Sequence, residues 1–172
     1  MPAELHLSKL DVALRQLETA ITLYFHYADP ISIHTLTAAA YNVLRNIKTH
    51  RGVDFTMLKD AEQVYPHMRD KFRSVLNEAE NFFKHADRDP DDTIAFAPDL
   101  SDILLIEACE IYGRLTGERR PILTLYIAWF CIRNPQYYKS VPQVNYLNKE
   151  YQETDRLLYF REILPGASNQ CR

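Results

Sequence analysis

The chain has 172 residues, of which 47% are hydrophobic and 25% charged, and its formal net charge is -3. That length suits one domain with one filled core, and the balance excludes the polar, highly charged signature of a disordered chain. The slight negative charge supplies no global field for a polyanion, so any contact with nucleic acid would have to be local.

The start, Met1-Pro2-Ala3-Glu4-Leu5-His6, lacks the basic residues and apolar run of a secretory signal, and a cytoplasmic protein is expected. Ser8 and Asp11 form a capping pattern, after which Leu10, Leu14, Leu17, Ile21, Tyr24 and Ala28 step by four and three as in an amphipathic helix. Asp29-Pro30 pairs an N-cap residue with proline at the first helical position. The stripe Leu36, Ala39, Ala40, Val43, Leu44 and Ile47 then carries a second helix to Gly52. A shorter helical piece is expected from about Thr56 to Tyr65, ending at Pro66, whose ring breaks a regular helix. Met68, Phe72, Val75, Ala79, Phe82 and Ala86 predict a third long helix with one continuous apolar face.

After the acidic turn Asp87 to Asp92, Pro98-Asp99-Leu100-Ser101 opens a helix that is apolar on most sides and stops at Gly117. A fifth helix runs from Pro121 to Asn134-Pro135, with Leu123, Tyr126, Ile127, Phe130 and Cys131 inside and Trp129 at an edge. Its apolar run is about half the ~20 residues needed to cross a bilayer, so no membrane association is expected. A sixth helix carries Leu157, Leu158, Phe160 and Ile163 and ends before Pro165-Gly166. With four glycines and no alternating strand pattern, the expected fold is all-α: a single bundle of about five to seven helices over residues 1–165, followed by a flexible tail over 166–172. The fourth and fifth helices are expected to be the most buried. Cys109 and Cys131 lie in apolar helical runs and read as reduced thiols that pack as small hydrophobes.

The chemistry-bearing segment is Asn81-Phe82-Phe83-Lys84-His85. Residues four apart on a helix point about 40° from each other, so the Asn81 amide and the His85 imidazole share a face, with Lys84 on a neighbouring flank. An imidazole there can take a proton from an attacking hydroxyl, an amide can orient a phosphoryl oxygen, and an ammonium can offset developing charge. An Asn, three residues, then a His at a helix end resembles the signature of HEPN domains. These are small helical bundles, many of them ribonucleases or toxin-like partners that act as dimers, and the resemblance implies those activities as expectations. The fuller family pattern places an arginine before the polar residue, where this chain has Glu80. A second match, Arg45-Asn46-Ile47-Lys48-Thr49-His50, keeps the arginine but closes the second helix, so Arg45, Asn46 and His50 form a secondary candidate set. Leu36 to Ala40 taken with Asn81 to His85 also resembles uncharacterised helical prokaryotic proteins, a likeness that covers most of the first hundred residues and implies no activity.

The remaining signals are weaker. Asp87, Asp89, Asp91 and Asp92 could offer oxygens to Mg²⁺ or Ca²⁺, but the glycine and distal glutamate of a calcium loop are missing, and a solvated, capping role is expected. His26, His34 and His67 are scattered over separate elements without a zinc or di-iron spacing; His34 is expected to be partly buried and hydrogen-bonded. No metal or other cofactor is therefore expected, and no nucleophile elbow, phosphate loop or CxxC pair is present. Tyr137, Tyr138, Tyr146, Tyr151 and Tyr159, beside Lys139, Lys149 and Arg156, could stack on bases or form a dimer surface. Glu150, Glu153 and Asp155 favour the protein surface.

Three functions are thus open. The leading one is a HEPN-like cytoplasmic protein-association module, with stress or defence as the setting the resemblance implies, acting as a homodimer or with another protein partner. The second is a metal-independent ribonuclease using His85 with Asn81 and Lys84, for which RNA is a possible partner that the net charge does not favour. The third is a helical bundle that binds a small molecule between its helices.

Overall fold

The computed structural model describes residues 4–62, 64–87, 90–135 and 151–164. These are 71% helical and contain no strand, with six helices among the described residues: α1 (Lys9–Phe25), α2 (Pro30–Arg51), α3 (Arg69–Lys84), α4 (Asp99–Thr116), α5 (Pro121–Arg133) and α6 (Arg156–Ile163). The all-α bundle is as expected, and no described helix is long and apolar enough to cross a membrane.

The helix ends follow their local chemistry. Ser8 caps α1 in a full capping box with Asp11, whose carboxylate accepts the Ser8 N–H at 2.9 Å. Asp29 accepts the Ser32 N–H at 2.8 Å at the head of α2, with Pro30 in the first turn. Gly52 and Gly117 end α2 and α4 at φ of 61° and 73°, a left-handed geometry that a side chain would strain. The short link from α1 to α2 turns the chain back so that these helices pack together; α2 packs on α4, and α5 closes against α4 and α1.

Phe25 is the hub of the core. Its ring meets Trp129 and Tyr126 edge-on and stacks on Phe160 at 4.9 Å, which ties α1, α5 and α6 together. Trp129 is therefore a core residue and not the edge residue expected: it is 4% exposed, and its indole N–H donates to the Tyr24 hydroxyl at 3.2 Å. α6 is also fastened from outside. The Arg156 guanidinium lies between the Tyr24 and Tyr27 rings, 4.4 and 3.8 Å from their centroids, and the Tyr27 hydroxyl donates to Asp155, which caps α6.

Two expectations about the second quarter of the chain need correction. The helical piece between Thr56 and Tyr65 contracts to one 3-10 turn, Leu58–Asp60, because Ala61 adopts φ 58° and Asp60 ties back to the Met57 N–H and to Arg45 and Lys48 of α2. The apolar stripe read along α3 is only in part its buried face: Ala79 is buried and Phe72 half-buried, but the rest of the stripe drifts outward. Leu76, Ala79 and Glu80 face inward, while Val75 and Met68 are exposed and Phe82 is half-buried. A glutamate can replace an apolar residue on that face because the Lys59 ammonium, itself buried, supplies the opposite charge.

Candidate functional site

Asn81 sits in the last turn of α3, and His85 caps the helix, its N–H donating to the Asn81 carbonyl at 3.0 Å. Both side chains are exposed and line the same groove, a volume of about 820 Å³ between the outer face of α3 and Asp87, Asp92, Thr93 and Ile94. Val75, Phe82 and Ile94 are the apolar residues that line this groove, and among the described residues Glu78, Asp87 and Asp92 set three carboxylates against the one ammonium of Lys71. A surface of that sign repels phosphate and attracts cationic groups.

Lys84 does not line this groove. Its ammonium is 2.7 Å from Glu80 Oε1, on the flank of α3 that turns toward α2. Glu80 collects three donors: Lys84, the Lys59 ammonium at 2.9 Å and the Asn42 side-chain amide. Burial pushes the Glu80 carboxyl up, but the hydrogen bonds from Lys84 and Lys59 outweigh it and hold the group below the ordinary glutamate range. Position 80 is where the HEPN pattern would carry arginine, and here that position points at two ammonium groups. A guanidinium in the same place would face like charge in a buried setting.

Next to this cluster lies His34, completely buried. Its Nδ1 is 3.0 Å from Ser101 Oγ of α4, its ring meets Phe83 and Phe96 edge-on, and Nε2 has no hydrogen-bond partner. Burial lowers its pKa, against the pull of the Glu80 charge, so the neutral ring is the stable form. The sequence pointed to a hydrogen-bonded histidine, and the fold completes its burial by closing Phe83 and Phe96 over it.

The secondary set divides in the same way. Arg45 turns to Asp60, with Nε 3.1 Å from Oδ1, and shares that carboxylate with Lys48 at 2.6 Å. Asn46 and His50 instead line a separate groove of about 420 Å³ with Lys9, Arg51 and the apolar Leu10 and Ile47. The two grooves share no lining residue, so Asn81 with His85 and Asn46 with His50 are distinct sites.

Of the aromatic candidates, Tyr137, Tyr138 and Tyr146, with Lys139 and Lys149, lie outside the described residues. Tyr159 is 1% exposed and packs on Trp129 and Phe25, and Arg156 is held between Tyr24 and Tyr27, so neither is available to stack on bases or to build a dimer surface. Among the described residues no three His, Cys, Asp or Glu side chains converge as a metal ion would require. Cys109 and Cys131 are buried free thiols.

Sequence reading did not single out the Lys59–Glu80 pair or the carboxylates Asp102 and Glu107. Burial and the Asp99 charge push the Asp102 carboxyl up to about 7. Glu107 did carry a signal, because it interrupts the apolar run Leu104, Leu105, Ile106, Ala108, Cys109 in the most buried part of α4. Lys59 carried none, since a lysine in the short helical piece expected there ordinarily reaches water. Comparison of the chain with protein-family models, with curated proteins and with solved structures finds no match.

Proposed function

We propose that this protein is a HEPN-like association module that works in the cytoplasm, and that it holds a protein partner in the groove bearing Asn81 and His85. The observation that supports this reading most strongly is the groove's composition: exposed or half-buried Val75, Phe82 and Ile94 bordered by Glu78, Asp87 and Asp92. Apolar side chains set among carboxylates suit a segment that carries apolar anchors flanked by Lys or Arg, with Asn81 and His85 as hydrogen-bonding partners for its polar groups. The pairing of Lys84 with Glu80 withdraws the cation next to His85 in the chain and leaves Lys71 beside three carboxylates, which disfavours the ribonuclease alternative.

The test is fluorescence anisotropy with a labelled amphipathic Leu/Lys helical peptide and its Leu/Glu counterpart, read against the Glu78→Lys/Asp92→Lys variant. Binding of the cationic peptide alone, weakened by the charge reversal and by salt, is the expected result. Sedimentation of the same two proteins over a concentration series shows whether the partner is a second copy. Equal binding by wild type and variant would remove the association reading. Cleavage of RNA in EDTA that disappears in His85→Ala would install the ribonuclease in its place.

A further inference from the structure

The groove between the head of α1 and the end of α2 carries the opposite charge to the one on the outer face of α3. Lys9 and Arg51 line it with His50, and among the described residues no Asp or Glu does. Lys9 and Arg51 are both exposed. Arg51 gives one N–H to the Leu115 carbonyl at 3.3 Å, and neither cation pairs with a carboxylate among the described residues. Asp11, two residues on from Lys9, is occupied by the Ser8 N–H and hydroxyl. Half-buried Leu10, Val43 and Ile47 lie beside these cations. Just before Ser8 the chain also leaves Leu5 and Leu7 in water, 71% and 43% exposed.

Each groove lacks what the other carries. The acidic one sets Val75, Phe82 and Ile94 among carboxylates, and the basic one sets Leu10, Val43 and Ile47 beside Lys9 and Arg51. Glu80 on the inner face of α3 bonds the Asn42 amide of α2, so the acidic groove opens away from α2 and the two cannot meet within one chain. A third cationic cluster offers no such match. Arg114, Arg119 and Arg120 line a groove between α4 and α5, but Glu110 and Glu118 line it too, and Arg120 Nε is 3.1 Å from the Glu118 carboxylate.

We infer, resting on the association reading of the groove that bears Asn81 and His85, that its occupant is a second copy of this chain, seated by the surface around Lys9 and Arg51. Leu10 and Ile47 supply the apolar anchors, and Lys9 and Arg51 the charges that answer Glu78 and Asp92. The contact joins two unlike surfaces, so each copy brings one of each. An acidic protein would satisfy the basic groove and leave the acidic one unmatched, whereas a second copy matches both.

The test is sedimentation velocity of wild type, Glu78→Lys/Asp92→Lys and Lys9→Glu/Arg51→Glu. All four side chains are exposed, so the exchanges leave the core untouched. Wild type should associate as its concentration rises, and less so in high salt. Each variant alone sets like charges together and should associate at least ~10-fold more weakly. An equimolar mixture of the two variants should recover the association, because the intact acidic groove of one meets the intact basic groove of the other. Zero-length carbodiimide coupling in a mixture of ordinary and isotope-labelled wild type should join Lys9 of one copy to Glu78 or Asp92 of another, which keeps the inference testable if a variant does not fold. A wild type that stays monomeric up to about 1 mM, association unchanged by Lys9→Glu/Arg51→Glu, or a mixture no more associated than its components would overturn it. If the cationic peptide still binds wild type in that case, the acidic groove keeps its role with a different partner. If the peptide fails as well, and reversal at Glu78 and Asp92 changes nothing, the association reading falls too.

Discussion

The Lys59–Glu80 pair allows an asymmetric test of what holds α3 to the bundle. At 2.9 Å and with both side chains almost wholly buried, the gross attraction is about 6 kcal/mol at an effective dielectric near 20, most of it offset by desolvating the two charges. The partners are not equally dependent on each other. Glu80 also holds Lys84 and the Asn42 amide, whereas among the described residues the Lys59 ammonium has besides it the Asn42 side-chain carbonyl, at 3.3 Å, and the face of the Tyr41 ring, 5.3 Å from its centroid. Glu80→Gln therefore strands a buried ammonium and should cost about 3–5 kcal/mol, while Lys59→Met leaves a carboxylate still paired and should cost about half as much. Replacing both residues together, as Lys59→Met/Glu80→Leu, should cost less than the sum of the single changes. Urea unfolding at neutral pH, with the denaturant slope unchanged, measures all three. A loss below about 1 kcal/mol in Glu80→Gln, or a larger loss in Lys59→Met than in Glu80→Gln, would refute the argument that Glu80 is the hub.

Acid should destabilise the fold in steps. His34 has a folded pKa below its unfolded value of 6.5, so its contribution is complete above that pH and is lost as the pH falls; Glu80, also lowered, loses its contribution further down, below its unfolded 4.5. Thermal melts of His34→Gln against wild type should therefore diverge least on the acid side. Asp102 has the opposite sign: with its folded pKa raised to about 7 from 3.8, it is stabilising only while protonated, and that contribution is lost as the pH rises through about 7. Asp102→Asn should raise the melting temperature at about pH 8 and have little effect at about pH 4; a uniform effect across pH would contradict the assignment. Phe25→Ala removes the ring that joins α1, α5 and α6 and should cost about 3–5 kcal/mol in the same urea assay, with a loss under about 1 kcal/mol refuting its role as hub.

Helix positions and ends were legible because they depend on short-range chemistry. Ser8, Asp29, Pro30, Gly52, Gly117 and Pro121 act on backbone groups within one turn, and each performs in the structure the role its place in the chain implies. The failures have a common origin. Periodicity identifies an amphipathic helix but ranks its faces by hydrophobicity alone, so on α3 it found the buried Ala79 but set the exposed Met68 and Val75 beside it in place of Leu76 and Glu80. The aromatic cluster at Trp129 was misplaced for a related reason: Tyr24, Phe25 and Phe160 lie far away in the chain, and only packing gathers them.

The same division runs through the candidate site. Helical spacing alone determined that Asn81 and His85 would share a face, and local capping and composition determined an all-α chain, because both follow from 3.6 residues per turn and from the backbone's own hydrogen bonds. Tertiary structure decided which charges meet. It drew Lys84 to Glu80 and Arg45 to Asp60, buried Lys59, and left Glu107 beside an apolar cavity. Ion pairing depends on distance and burial between residues remote in the chain, and neither quantity is encoded in spacing along one helix.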